Sequence, residues 1–363
     1  MFILVLGISL FSDAYAGMIL PNLEKSKSIE NESPIAVGWS KRKAASIAGA
    51  YGTSDVEANG TKTSEDKNYG LDANVFLHTE NNFSIEAGLG YSKTKTTYQP
   101  SARSDSNTGN TYSGALAVAP TDKISAGIKF DYKRDTDISS GVRVVDDMQT
   151  ITPGVGYKIM PNLGLGVGMS RRELESTTKA NPDLVFPTLN YNEFFAGAAY
   201  GVDQVAGENG FGAELTVKYH GKKRVTGTPG SLSVGKNTKV SGELHYLNDL
   251  ADVYFNSEYA FGKDYTENSK DNFFANVLRF EYYIVSTFYL APRLGYITSK
   301  TTEATSSTST KLESALYGLG AGYRTKEFDT ELGVIKGDSE YKYGTSSTNF
   351  NAFNSSLRFT YYF

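Results

Sequence analysis

From residue 42 to the end, the chain alternates apolar and polar side chains with a period of two, in segments about ten residues long. Phe83, Ile85, Ala87, Leu89 and Tyr91 share one face, opposite Ser84, Glu86, Gly88, Gly90 and Ser92. Ile124, Ala126, Ile128, Phe130 and Tyr132 do the same, as do Phe211, Ala213, Leu215, Val217 and Tyr219. Successive side chains on a strand point to opposite faces, so each segment predicts a strand between an apolar medium and water. No stretch beyond residue 42 carries a helical period, and the fold class is all-β.

Turn-forming residues punctuate the alternation. Tight turns are predicted near Asn81, Thr121, Pro161, Gly207, Asp249, Ser286 and Lys326, about 40 residues apart. Between them lie polar stretches read as longer loops: 55–67, 98–109, 137–146, 176–189, 223–236, 264–271, 299–309 and 341–348. That spacing divides residues 42–363 into about eight hairpins, hence about sixteen strands, with fourteen or eighteen as the margin. Short turns at one end and long loops at the other are the pattern of a transmembrane antiparallel up-and-down β-barrel, with periplasmic turns and extracellular loops. Closure also removes the exposed edges of a long open meander. A soluble propeller of the same period needs four strands per repeat, whereas each repeat here holds two.

Composition raises a question that this architecture answers. The chain is only 39% hydrophobic but contains 25 Tyr, 20 Phe and one Trp. The rings fall at strand ends: Phe83 and Tyr91, Phe211 and Tyr219, Phe274 and Tyr282, Phe288 and Tyr296, and Phe353 and Tyr361 are each eight residues apart. Eight steps at about 3.3 Å on a tilted strand span roughly 20 Å, close to an outer-membrane apolar band flanked by two aromatic girdles. Lipid takes the rings. With no Cys there is no disulfide framework or thiol nucleophile, and a net charge of −4 gives no reason to expect nucleic acid as a partner.

The largely apolar run at residues 2–11 is too short to span a bilayer as a helix. Ala14-Tyr15-Ala16 follows it as an A-x-A-like cleavage site, so residues 1–16 are read as a signal peptide. Residues 17–41 are a periplasmic segment or a plug, and residues 42–363 are the barrel. The expected location is a bacterial outer membrane.

The chain ends Leu357-Arg358-Phe359-Thr360-Tyr361-Tyr362-Phe363. This ending resembles the terminal strand of the Gram-negative outer-membrane, porin-like β-barrel superfamily. The resemblance implies that Leu357, Phe359, Tyr361 and Phe363 form an assembly signal met by the barrel assembly machinery. Outer-membrane lipid and lipopolysaccharide are the other expected partners. Monomer and homo-oligomer both stay open.

If one strand face meets lipid, the other lines a lumen. That face carries Glu86, Lys129, Asp131, Lys133, Arg172, Glu214, Lys218, Glu243, Glu258, Arg279, Glu281, Arg293, Glu331 and Arg358. Sixteen strands enclose a space too wide for side chains to close. A charged, hydrated lumen predicts a porin-like passive channel for small hydrophilic solutes, with no cofactor. The alternatives are a plugged barrel transporting hydrophobic ligands, which needs an apolar internal pocket, and a structural or adhesive barrel. Inward glycines, among them Gly164, Gly166, Gly168, Gly318, Gly320 and Gly322, are read as serving curvature or close packing. Pro153 and Pro292 fall within predicted strands, where a bulge is expected.

The candidate chemistries are weak, and no enzymatic activity is expected. His220 and His245 fall near opposite ends of neighbouring predicted strands, which argues against a shared metal. Asp135, Asp137, Ser139 and Asp146 echo a calcium loop, but Ser140 stands where the turn requires Gly. No metal site is assigned. Lys222, Lys223 and Arg224 open an outer loop.

Overall fold

The structure, a computed structural model, describes residues 43–363 apart from 59–60, 79–82, 100, 102, 140, 180–183, 201–209, 227–230, 265–268, 304–308 and 344–345. The segments 1–16 and 17–41, and the turns expected near Asn81 and Gly207, lie outside the described residues.

The strands are β1 Ala44–Ala58, β2 Thr61–His78, β3 Phe83–Tyr98, β4 Ser104–Val118, β5 Ile124–Ser139, β6 Val142–Met160 and β7 Leu163–Lys179. There follow β8 Leu184–Val185, β9 Leu189–Tyr200, β10 Gly210–His220, β11 Lys223–Thr226, β12 Ser231–Val234 and β13 Lys236–Leu247. The last are β14 Ala251–Asp264, β15 Ser269–Val285, β16 Phe288–Glu303, β17 Ser309–Arg324, β18 Phe328–Tyr343 and β19 Ser346–Tyr362. Sixteen of them form one closed antiparallel barrel in which sequence neighbours are sheet neighbours. The short β8 extends the edge of β7, and β11 and β12 form a separate hairpin in the loop between β10 and β13.

Closure is made by β1 and β19, from Ala44 opposite Tyr362 to Ala58 opposite Thr348. The Phe363 N–H donates to the Lys43 carbonyl at 3.1 Å, so the seam is bonded to the last residue. Local chemistry shapes the tight turns. The Thr121 hydroxyl oxygen accepts the N–H groups of Lys123 and Ile124, and that of Thr325 accepts those of Glu327 and Phe328. The Asn248 side-chain oxygen accepts the Leu250 N–H. Each caps a turn that water alone would otherwise satisfy.

The polar stretches read as long loops are mostly strand. β1 and β2 pair as far as Ala58 opposite Thr61, and β5 and β6 as far as Ser139 opposite Val142. At about 3.3 Å per residue, a sixteen-residue strand tilted about 40° rises roughly 40 Å, well beyond an apolar band about 25 Å tall. Beyond the band both faces are wet, so the alternation fades while the backbone ladder continues. Gly141, at φ 79°, closes the β5–β6 hairpin in the left-handed region that glycine enters without a Cβ clash.

Neither proline sits in a bulge. Opposite Pro153 the β6–β7 ladder lapses between Ile151↔Arg171 and Gly154↔Gly168, and register is kept across the gap. Opposite Pro292 the β15–β16 ladder lapses between Arg279↔Arg293 and Tyr282↔Leu290 in the same way. A proline cannot donate to the ladder, and the intact pairing on its other side, Ile128↔Pro153 and Pro292↔Leu319, holds the strand in register. Register shifts occur elsewhere, at Val56/Glu57, Lys158/Met160 and Tyr283/Val285.

Candidate functional site

Burial alternates along the strands as the sequence pattern requires. Leu89, Val167, Leu294 and Leu332 are exposed on the outer face, while Ser125, Thr216, Glu243 and Glu281 are buried on the inner one. All fourteen charged residues assigned to the lumen face share the less exposed parity. Few stand alone. Arg172 pairs with Glu193 at 2.9 Å, Lys129 with Asp131 at 3.2 Å, Lys133 with Asp135 at 2.7 Å and Glu258 with Lys239 at 2.8 Å. The Glu243 carboxylate lies 3.4 Å from His245. His245 is opposite Gly212 and His220 opposite Asn237, eight residues apart along β10, so no common metal joins them.

Five of the fourteen converge near the short-turn end of β15 to β19. Arg279 contacts both Glu281 and Glu331, Arg293 contacts Glu331, and Arg358 lies 3.6 Å from Glu331. The structure adds residues that the charge reading missed. Arg324 reaches Asp252 at 3.3 Å, Glu281 at 3.0 Å and Asp329 at 3.1 Å. The hydroxyl of Tyr289 donates to Asp329 and Glu331, and that of Tyr283 to Asp252. The Arg324 guanidinium lies 4.8 Å from the Tyr289 ring centroid, a cation–π contact. Four arginines thus face four carboxylates, Asp252, Glu281, Asp329 and Glu331. Paired and hydrogen-bonded, the charges offset one another where a lone ion would be costly.

Inward glycines make this packing possible. A Cβ on Gly322 would run into the Tyr289 ring, and one on Gly333 into the Arg293 guanidinium. These positions leave room for long side chains to lie flat on the wall, a specific use that curvature alone does not supply.

Next to the charge cluster, toward the long-strand end, a buried apolar cluster packs on the same inner wall. It comprises Phe273, Ala275 and Val277 of β15, Ile297 of β16, Leu316 of β17 and Ile335 of β18. Ala275 sits opposite Ile297, and Val277 immediately precedes Arg279 in the inward series of β15. The sequence reading placed charged residues and glycines on the inner face and so weighed against an apolar internal pocket. These residues share the parity of Arg279 and Glu331, and extending that parity to uncharged positions would have found them. A cavity beside the cluster, at the β19–β1 seam, is lined by Ala48, Ala50, Asp72, Arg293, Ser356 and Arg358.

A closed sixteen-strand antiparallel barrel with an outer apolar face and a polar, partly apolar interior has the form of a transmembrane β-barrel. No protein-family model matches the chain, and no curated protein does. Among solved structures it is similar to the deltaS2S3 mutant of the TodX monoaromatic hydrocarbon channel, at TM-score 0.50 and 12% identity over 93% of this chain and 95% of that one. The deltaS2 mutant of the same channel aligns at TM-score 0.51 and 10% identity, covering 93% and 94%. The toluene transporter TodX of Pseudomonas putida aligns at TM-score 0.49 and 11% identity, covering 93% and 94%. At these identities the likeness is one of fold.

Proposed function

We propose that this chain is a bacterial outer-membrane channel whose lumen passes hydrophobic ligands, the second of the readings drawn from the sequence rather than the hydrophilic pore. One observation carries the proposal: the patch of Phe273, Ala275, Val277, Ile297, Leu316 and Ile335 on the inner wall. The five core residues pack against one another and are at most 7% exposed, so the interior holds an apolar region and is not charged throughout. An apolar solute that displaces their neighbours and seats there gains about 25 cal/mol for each Å² removed from water. The barrels of similar fold are described as monoaromatic hydrocarbon channels, and a ligand of that chemistry suits the patch. The self-neutralised arginine–carboxylate cluster then holds the wall below the patch and is not a selectivity filter.

In this reading the channel is passive, with no catalytic residue and no cofactor. Residues 1–16 direct export and are removed, and the strand ending at Phe363 is read by the assembly machinery. Uptake of a labelled aromatic hydrocarbon by intact cells, with and without the protein, tests the function. Leu316→Asp combined with Ile335→Asp is expected to lower that uptake about tenfold and leave ion conductance in planar bilayers intact. Uptake that is the same with and without the protein, alongside rapid sugar passage, would sink the reading in favour of a hydrophilic pore.

A further inference from the structure

On the outer face of β1 to β4, cross-strand register assembles a row of Thr53, Lys67, Lys95 and Ser106. The next row toward the membrane is Tyr51, Tyr69, Lys93 and Thr108. Lys67 and Lys95 are directly opposite each other, an arrangement of like charges that destabilises a sheet unless something neutralises it. Lys67 is 3.3 Å from Glu65, but that carboxylate also holds Lys62 at 3.1 Å. Among the described residues no carboxylate lies within ion-pair distance of Lys93 or Lys95. Asp55, the other outward acid nearby, is tied to Lys62 at 2.7 Å.

Below the lysines the surface turns apolar. The Tyr51 and Tyr69 rings lie 5.2 Å apart, and Leu71, Leu89 and Tyr91 continue the exposed face toward the membrane interior. Tyrosines of this kind sit at the level of lipid headgroups. The three ammonium groups, flanked by the hydroxyls of Thr53, Ser106 and Thr108, therefore stand in the headgroup plane of the leaflet at the long-strand end.

We propose that this face of β1 to β4 binds the phosphorylated headgroup of an outer-leaflet glycolipid. Lys67, Lys93 and Lys95 take the phosphates, and the acyl chains lie along Leu71 and Leu89. Charge complementarity selects the partner, because phosphate oxygens neutralise the opposed lysines and accept from the hydroxyls. The site rests on the outer-membrane reading and is independent of what passes through the lumen.

Native mass spectrometry of the refolded barrel with bisphosphorylated lipid A tests it. The wild type is expected to retain lipid A, and the Lys67→Gln/Lys93→Gln/Lys95→Gln variant to bind at least tenfold more weakly. Arg at the three positions is expected to preserve binding, and lipid A stripped of its phosphates is expected to bind neither protein. The Gln variant also removes the like-charge contact, so without lipid it is expected to be at least as heat-stable as the wild type, and hydrocarbon uptake is expected to be unchanged. Equal retention by wild type and Gln variant, equal binding of dephosphorylated lipid A, or no retention by the wild type each overturns the proposal. The uptake measurement reports separately on the channel reading.

Discussion

Arg279 on β15 reaches Glu331 on β18 across two intervening strands. The residues beneath the contact are the cross-strand pair Ala291 and Gly320, the smallest side chains available, and they form a floor over which the two long side chains meet. Glu331 also takes Arg293 and the Tyr289 hydroxyl and lies 3.6 Å from Arg358, so one carboxylate ties together β15, β16, β18 and β19.

Neutralising that carboxylate is expected to be costly. Glu331→Gln leaves Arg279 and Arg293, both at least nine-tenths buried, without their shared counter-charge. Removing one partner of a buried pair costs about 3–5 kcal/mol. Urea titration of the refolded barrel, followed by tyrosine fluorescence or heat-modifiable gel mobility, should show the midpoint fall by that measure. A midpoint equal to wild type would mean that the lumen solvates these guanidiniums.

Gly322→Leu tests the floor from the other side. A side chain there displaces the Tyr289 ring, and with it the hydrogen bonds to Asp329 and Glu331. The expected loss is about 1–3 kcal/mol from overpacking and strain. Combining it with Tyr289→Ala should recover part of the loss, because the clash is then gone. A double-mutant cycle in the same titration reads this directly.

On the outside, Leu294 is mid-strand, exposed and flanked by apolar outward residues. Leu294→Arg puts a charge in lipid, at a cost of about 2–4 kcal/mol near the bilayer midplane. Arginine at Thr298, four residues toward the strand's outer end, should cost less than half as much. Folding titrations into vesicles would compare the two, and similar costs would displace the membrane band from where the aromatic girdles put it.

The C-terminal residue separates assembly from stability. Phe363 joins the seam through its backbone N–H, which Phe363→Ala retains, while its ring stacks on Tyr361 with centroids 6.0 Å apart. Stability after refolding is expected to change by less than about 1 kcal/mol, within the range for one exposed aromatic contact. The fraction assembled in cells is expected to drop severalfold. Equal assembly of both proteins would remove Phe363 from the signal.

Alternation, turn spacing and the terminal strand are local properties, so they were legible residue by residue: strand number, lipid face and lumen parity all follow from a period of two and a repeat near forty. The sequence alone also marked Arg279, Glu281, Arg293, Glu331 and Arg358 as inward. It did not reveal that they meet, because that depends on register across four strands and on which cross-strand neighbours are small. Asp252, Arg324 and Asp329 were missed because they lie at strand ends beside turns, where parity is hardest to read. The apolar inner patch escaped for a different reason. An inward Val or Ile within an alternating strand looks the same as a boundary error until cross-strand register brings Val277, Ile297, Leu316 and Ile335 together. Tertiary structure alone decided where charge cancels and where the wall stays apolar, since both depend on the register between strands, which sets residues many positions apart in sequence side by side.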